Sequence, residues 1–236
     1  MPESHPGLSR RLLLRGAATA AVAGGLAAAG ASHPARAAAP RSGPAGRVTP
    51  GRTSANGWRV ASTADGDPIR TVRVPGTGVS VALRGGDVSV VLIHLVRRFH
   101  YEVEALRPGE VVGFKPPQAF PARHETNHAS GTAVDIRADW YPIGARGGFF
   151  PTQLDVVRDI LADCDGVVRW GADLDPVDEA HFQIDVPPGD ARLRDLAAKI
   201  RGWAQRPGTG AGVLWDPLTP ARRRRARALH HRQRVN

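Results

Sequence analysis

The stretch TNHASGTAVDI, residues 126–136, decides how this chain is read. Side chains of a strand alternate between two faces, so from Thr132 onward Ala133 and Asp135 point one way and Val134 and Ile136 the other. A carboxylate therefore projects opposite an apolar face. His128 stands just upstream on a loop that Ser130 and Gly131 can turn tightly, which returns its imidazole toward Asp135, with small Ala133 leaving room between them. The same alternation over DEAHFQIDV, residues 178–186, sends Phe182, Ile184 and Val186 to one side and His181, Gln183 and Asp185 to the other. If the two strands are neighbours, His128, Asp135 and His181 form the two-histidine, one-carboxylate set of an open catalytic zinc site. Asp178, three residues ahead of His181, is then placed to act as general base.

Outward from these strands, DVSVVLIHLVRRF (87–99) carries Val88, Val91, Leu92, Leu95, Val96 and Phe99 at helical spacing, with Asp87 as the expected N-cap. A second helix is expected over TQLDVVRDILADC (152–164), with Leu154, Val157, Ile160 and Leu161 inward, and a third over DARLRDLAAKIRGWA (190–204). EVVGF (110–114), GVVRW (166–170) and AHFQIDV (180–186) read as short strands. Helices mixed with short strands on hairpin-length connections favour an α+β domain, a small antiparallel sheet with flanking helices. His94 and His100 accompany the first helix as structural histidines, while His124, next to the motif, is the other histidine that merits a test. Trp170, Gly171 and Asp173 are expected to shape the loop before the last strand.

The chain has 236 residues, enough for one well-buried domain, and a formal charge of +10 from 30 Arg and 2 Lys against 22 acids. Much of the excess lies at the ends, so the charge is weak grounds for nucleic acid binding, and none is expected. SRRLLLRGAATAAVAGGLAAAGASHPARAAAP places a twin arginine before an uncharged Ala/Gly run and an A-x-A-like site. Residues 1–39 thus read as a Tat-type export signal leading to the cell envelope or beyond it. Residues 40–56 look like a flexible linker and 57–206 like the domain. Residues 207–236 look like a loop and an Arg-rich tail, either solvated or tethering the chain to anionic wall polymers or lipid headgroups. The lone Cys164 cannot form a disulfide within the chain and reads as a small buried hydrophobe.

His128-x-x-Gly131-x-Ala133-x-Asp135, followed by VVRWGADLDPVDEAHFQI, resembles the zinc D-Ala-D-Ala carboxypeptidases and dipeptidases and the L-Ala-D-Glu endopeptidases of the peptidase M15 group. The likeness spans Gly113 to Val186. It implies His128, Asp135 and His181 as Zn2+ ligands, Asp178 as the base, and peptidoglycan stem peptides as substrate, with terminal D-Ala removal the leading activity. Three departures stand out. Thr126 occupies the place where the family often has Ser, retaining a hydroxyl for substrate contact. Lys115 in GFK stands where the family has an arginine that grips substrate or oxyanion, so charge is kept and the planar fork lost. Ala172 replaces the second glycine of WGGD. Lys115 and Arg123 are the cations expected at the oxyanion or the substrate carboxylate, and Gln183 is expected beside the site. The rival reading is a wall-binding protein that keeps the fold without catalysis, marked by a missing base or by a fourth protein ligand, Glu179 or His124, that closes the metal's open position.

Overall fold

A computed structural model describes residues 47–64, 68–206, 208–213 and 216–235. The expected export signal lies outside them. The elements run β1 (Ile69–Arg73), β2 (Ser80–Arg84), α1 (Asp87–Glu102), β3 (Val111–Val112), a 3-10 turn (His124–Ser130), β4 (Ala133–Ile136), α2 (Pro151–Asp163), β5 (Val168–Trp170), β6 (His181–Ile184), α3 (Ala191–Ala204) and α4 (Pro220–Val235). β1 and β2 form an antiparallel hairpin, and the other strands form an antiparallel sheet in the order β3-β4-β6-β5. The class is α+β. Among the described residues no helix is long and apolar enough to cross a membrane.

One face of the four-stranded sheet supplies the core. Val134 and Ile136 of β4 and Phe182 and Ile184 of β6 bury against Val91, Leu92, Leu95, Val96 and Phe99 of α1. Phe182 stacks on Trp170 with ring centroids 5.9 Å apart and meets the edge of Phe99 at 6.3 Å. Such aromatic pairs add about 0.5–1.5 kcal/mol beyond the area they remove from water. Cys164 is fully buried, and desolvation pushes its thiol up to about 12, which suits the structural role read from sequence.

Three regions differ from the sequence expectations. Asp87 is the first residue of α1 rather than its cap, and its carboxylate instead meets Arg201 at 2.7 Å. The segment expected to be a linker through residue 56 is fixed to the domain from Val48 onward: Val48 bridges to Phe120, and Ser54, Ala55 and Asn56 all bond to the 3-10 turn or to the residues just after it. Short polar side chains with few apolar neighbours look like a linker in composition, yet they satisfy backbone groups that a buried turn leaves open.

The Arg-rich tail is also no solvated arm over its helical part. α4 packs on α2, burying Leu229, and Arg222 lies 2.6 Å from Asp159 and 2.8 Å from Asp163. Arg225 adds a 3.0 Å contact to Asp163, and Gln233 donates to the Val168 carbonyl. The same two aspartates face the buried Arg98 of α1, so helix α2 carries the anions that join α1 to α4.

Candidate metal centre

The polar face of the sheet builds the site. β4 and β6 are adjacent, and Asp135 lies directly opposite His181 in their register. The flanking bonds, Ile136 N–H to the Ala180 carbonyl and Ile184 N–H to the Thr132 carbonyl, make Asp135–His181 a non-hydrogen-bonded pair, the kind whose side chains approach most closely. His128 comes from the turn before β4. That turn ends at Gly131, whose backbone is left-handed at φ 68°. A Cβ there would fall 2.5 Å from Ile69 Cδ1 and 2.6 Å from the Arg84 amide nitrogen, so glycine is required both by conformation and by close approach to β1 and β2.

His128, Asp135 and His181 thus converge as expected. Asp135 Oδ1 lies 2.9 Å from His128 Nε2 and 3.0 Å from His181 Nδ1, with all three residues buried. The imidazoles are held from behind. His128 Nδ1 meets the Gly113 carbonyl at 2.5 Å, and because a carbonyl only accepts, Nδ1 carries the proton and Nε2 faces the centre. For His181 the tautomer follows from a relay. The Asn56 backbone N–H can only donate, and it bonds Asn127 Oδ1, so Asn127 Nδ2 points at Gln183 Oε1. That oxygen also accepts from His181 Nε2 at 3.1 Å, which leaves His181 Nδ1 facing Asp135. Gln183 therefore orients a histidine. Partners of this kind are the usual second layer of a metal site.

Electrostatics agree with a centre short of positive charge. Burial works against ionising His181, but its hydrogen bonds to Asp135 and Glu125 and their charge outweigh burial and push its pKa up to about 10. His128 is raised for the same reason. Burial would raise Asp135, yet the two histidines hold it well below the usual carboxylate range. Lys115 Nζ closes the other side, 2.6 Å from Asp135 Oδ2 and 3.0 Å from Glu125 Oε2, and these carboxylates raise its pKa against the opposing effect of burial.

Glu125 is the residue that sequence reading missed. Its Oε1 lies 3.1 Å from His181 Nδ1 and 3.4 Å from His128 Nε2, and Glu125, His128, Asp135 and His181 together form a buried group able to hold a metal ion. In a 3-10 helix, residues three apart eclipse one another, which stacks Glu125 over His128. Read as an irregular loop, the segment HETNH gives no reason to pair them.

Asp178 is buried, and its Oδ2 lies 3.3 Å from His124 Nε2. His124, Glu125 and Asp178 form a second cluster whose ligand atoms lie within 4.8 Å of one another, so Glu125 links Asp178 to the first set. Glu179, the neighbouring acid, is engaged elsewhere: its two oxygens accept the Gly147 and Gly148 amides, each at 2.8 Å. Thr126 donates its hydroxyl proton to the Arg123 carbonyl and accepts from the Ala55 amide, and the Arg123 side chain is exposed. Trp170 and Asp173 shape the strand end, Trp170 donating to the Glu179 carbonyl and Asp173 pairing with Arg158 of α2.

No family model, curated protein or solved structure matches this chain. What the site can do is therefore argued from its own donors. Two imidazole nitrogens and a carboxylate oxygen, each buried and each held from behind, form a group able to hold a metal ion once the imidazoles have given up their protons.

Proposed function

We propose that the chain is a zinc-dependent hydrolase of amide bonds in peptidoglycan stem peptides, like the M15 peptidases that its motifs resemble. D-Ala-D-Ala carboxypeptidase action is the leading form. The observation that carries this reading is the convergence of His128 Nε2, Asp135 Oδ1 and His181 Nδ1, with the buried Asp178 carboxylate one cluster away.

Zinc held by these three residues would polarise the scissile carbonyl and bring the pKa of water to about 7. Asp178 receives the proton of the attacking water and passes it to the leaving amine nitrogen as the carbon–nitrogen bond breaks. Its burial beside His124 keeps bulk water from levelling that exchange. Lys115 directs two of its three ammonium hydrogens at Asp135 and Glu125, which leaves the third for the developing oxyanion or the substrate carboxylate. Arg123, at the surface where the site turn begins, is the second cation suited to a substrate carboxylate, and Thr126 supports it through the Arg123 carbonyl. Export by the N-terminal signal would place the enzyme beside its polymer. The outward arginines of α4, Arg223, Arg224, Arg227, Arg232 and Arg234, are exposed and would hold it to anionic wall polymers or lipid headgroups.

A second reading, a wall-binding protein with a structural metal, is favoured by one observation: Glu125 supplies a fourth protein donor. Mass spectrometry of stem peptides incubated with the protein, with zinc and with a chelator, separates the two. Zinc-dependent loss of terminal D-Ala supports the carboxypeptidase, and an internal cut supports an endopeptidase. Absence of any zinc-dependent product from the full set of stem peptides leaves the binding protein.

A further inference from the structure

The Glu125 carboxylate is divided between two tasks. Its Oε2 pairs with Lys115 at 3.0 Å, while its Oε1 is buried between two imidazole nitrogens, 3.1 Å from His181 Nδ1 and 3.4 Å from His128 Nε2. The same two nitrogens approach Asp135 Oδ1, so the four residues form one group able to hold a metal ion. Ligand atoms at about 2.0–2.2 Å from a tetrahedral metal are separated by about 3.3–3.6 Å. The two Glu125 contacts, 3.1 and 3.4 Å, lie closer to that edge than the two Asp135 contacts, 2.9 and 3.0 Å.

We propose that Glu125 is a fourth, displaceable metal donor, which closes the resting site and opens it by withdrawing toward Lys115. This inference rests on the metal-site reading above and adds a gate to it. Lys115 suits the role because it already holds the other Glu125 oxygen, so a carboxylate leaving the metal retains a cationic partner. A metal held in the resting chain would be enclosed by four protein donors, Glu125, His128, Asp135 and His181. Withdrawal of Glu125 toward Lys115 would free one position for a substrate oxygen, which would keep the centre silent until substrate arrives.

Co2+ substitution tests this without reference to turnover, because its visible absorption reports ligand number and type. Wild type, Glu125→Gln, Glu125→Asp and Glu125→Ala are titrated with Co2+ against a chelator, with circular dichroism recorded for each as a check on folding. The expected result is Co2+ affinity about 10–100-fold weaker in Glu125→Gln than in wild type, with an altered visible band. Added acetate should restore the wild-type band in Glu125→Ala and leave wild type unchanged. Glu125→Asp, which keeps the charge on a shorter stem, should lie between. If the folded variants bind Co2+ with wild-type affinity and an unchanged band, Glu125 is no ligand and the gate is overturned while the three-residue site survives. If wild type binds no Co2+ at all, the metal-site reading falls and takes the gate with it.

Discussion

Asp135 and His181 face each other across β4 and β6, and Asp135 Oδ1 lies 3.0 Å from His181 Nδ1. Two strands that are 46 residues apart in sequence thereby meet at one pair of ligand atoms. His181→Ala removes a ligand and leaves Asp135 facing a void, so both metal binding and turnover should be lost. Asp178→Ala should keep metal affinity within about twofold and lower turnover by roughly 10²–10⁴-fold, the usual share of a general base. Metal content by mass spectrometry alongside peptide hydrolysis checks both. Full turnover in either variant would remove the assigned roles.

Metal uptake should release protons. His181 is held up to about 10 by Asp135 and Glu125 in the metal-free chain, so at pH 7.5 it is charged, and it must lose a proton to become a ligand. Affinity should therefore climb as pH rises from about 6.5, the ordinary histidine value, toward 10. Without metal, the stability that His181 contributes is complete below its unfolded value near 6.5 and fades as pH rises through about 10. Calorimetry in buffers of different ionisation enthalpy measures the proton count, and uptake without proton release would contradict the charged state.

His94 sets an acid limit. Desolvation, with Arg98 adding to it, lowers its pKa to about 4. Its Nε2 is buried without a hydrogen-bond partner among the described residues, and its ring lies 5.4 Å from that of Trp203. A folded value below the unfolded one means that stability is full above about 6.5 and is lost as pH falls through about 4. The loss is on the order of 3 kcal/mol, because each tenfold change in proton affinity is worth roughly 1.4 kcal/mol. Urea unfolding at pH 7 and pH 4.5 should show His94→Leu losing less stability on acidification than wild type.

Gly131→Ala meets both a left-handed backbone and the overlap with Ile69 and Arg84. The backbone alone costs about 1–2 kcal/mol and the overlap adds to it. Thermal unfolding should shift down by several degrees. Because Gly131 closes the turn that carries His128, metal affinity should fall as well, and an unchanged melting curve would contradict the packing described.

Helix α4 is part of the domain's stability. Arg222→Ala removes contacts to Asp159 and Asp163 and should cost about 1–3 kcal/mol, in the range of hydrogen bonds to charged groups. Deletion of residues 216–235 should cost more, because Leu229 and Gln233 leave with it. A freely solvated tail predicts no change in either protein.

Much of the architecture was legible because burial follows period. Val91, Leu92, Leu95, Val96 and Phe99 gave α1 its inward stripe, and Val134, Ile136, Phe182 and Ile184 gave the sheet its core face. The same alternation put Asp135 and His181 on the other side. The hairpin β1–β2 was missed because β1 buries Ile69 and exposes most of the rest, which weakens its alternation. Glu125 was missed because its partner is set by a 3-10 turn rather than by a strand. The packing of α4 was not foreseen because two of its arginines, Arg222 and Arg225, are balanced by Asp159 and Asp163, which lie more than fifty residues earlier. Charge in a sequence does not reveal its counterion.

The contact from Asn56 to the Ile184 carbonyl joins positions 128 residues apart, and the amide of that same Asn56 begins the relay that ends at His181. The ligands alone lie between Glu125 and His181, but the relay that orients His181 reaches back to Asn56. A chain still emerging from synthesis has His128 and Asp135 long before it has His181, and a fragment that begins after residue 56 has all the ligands but lacks the group that sets the His181 tautomer. Tight metal uptake would then report that folding is complete, so that the chain would fold first and load second.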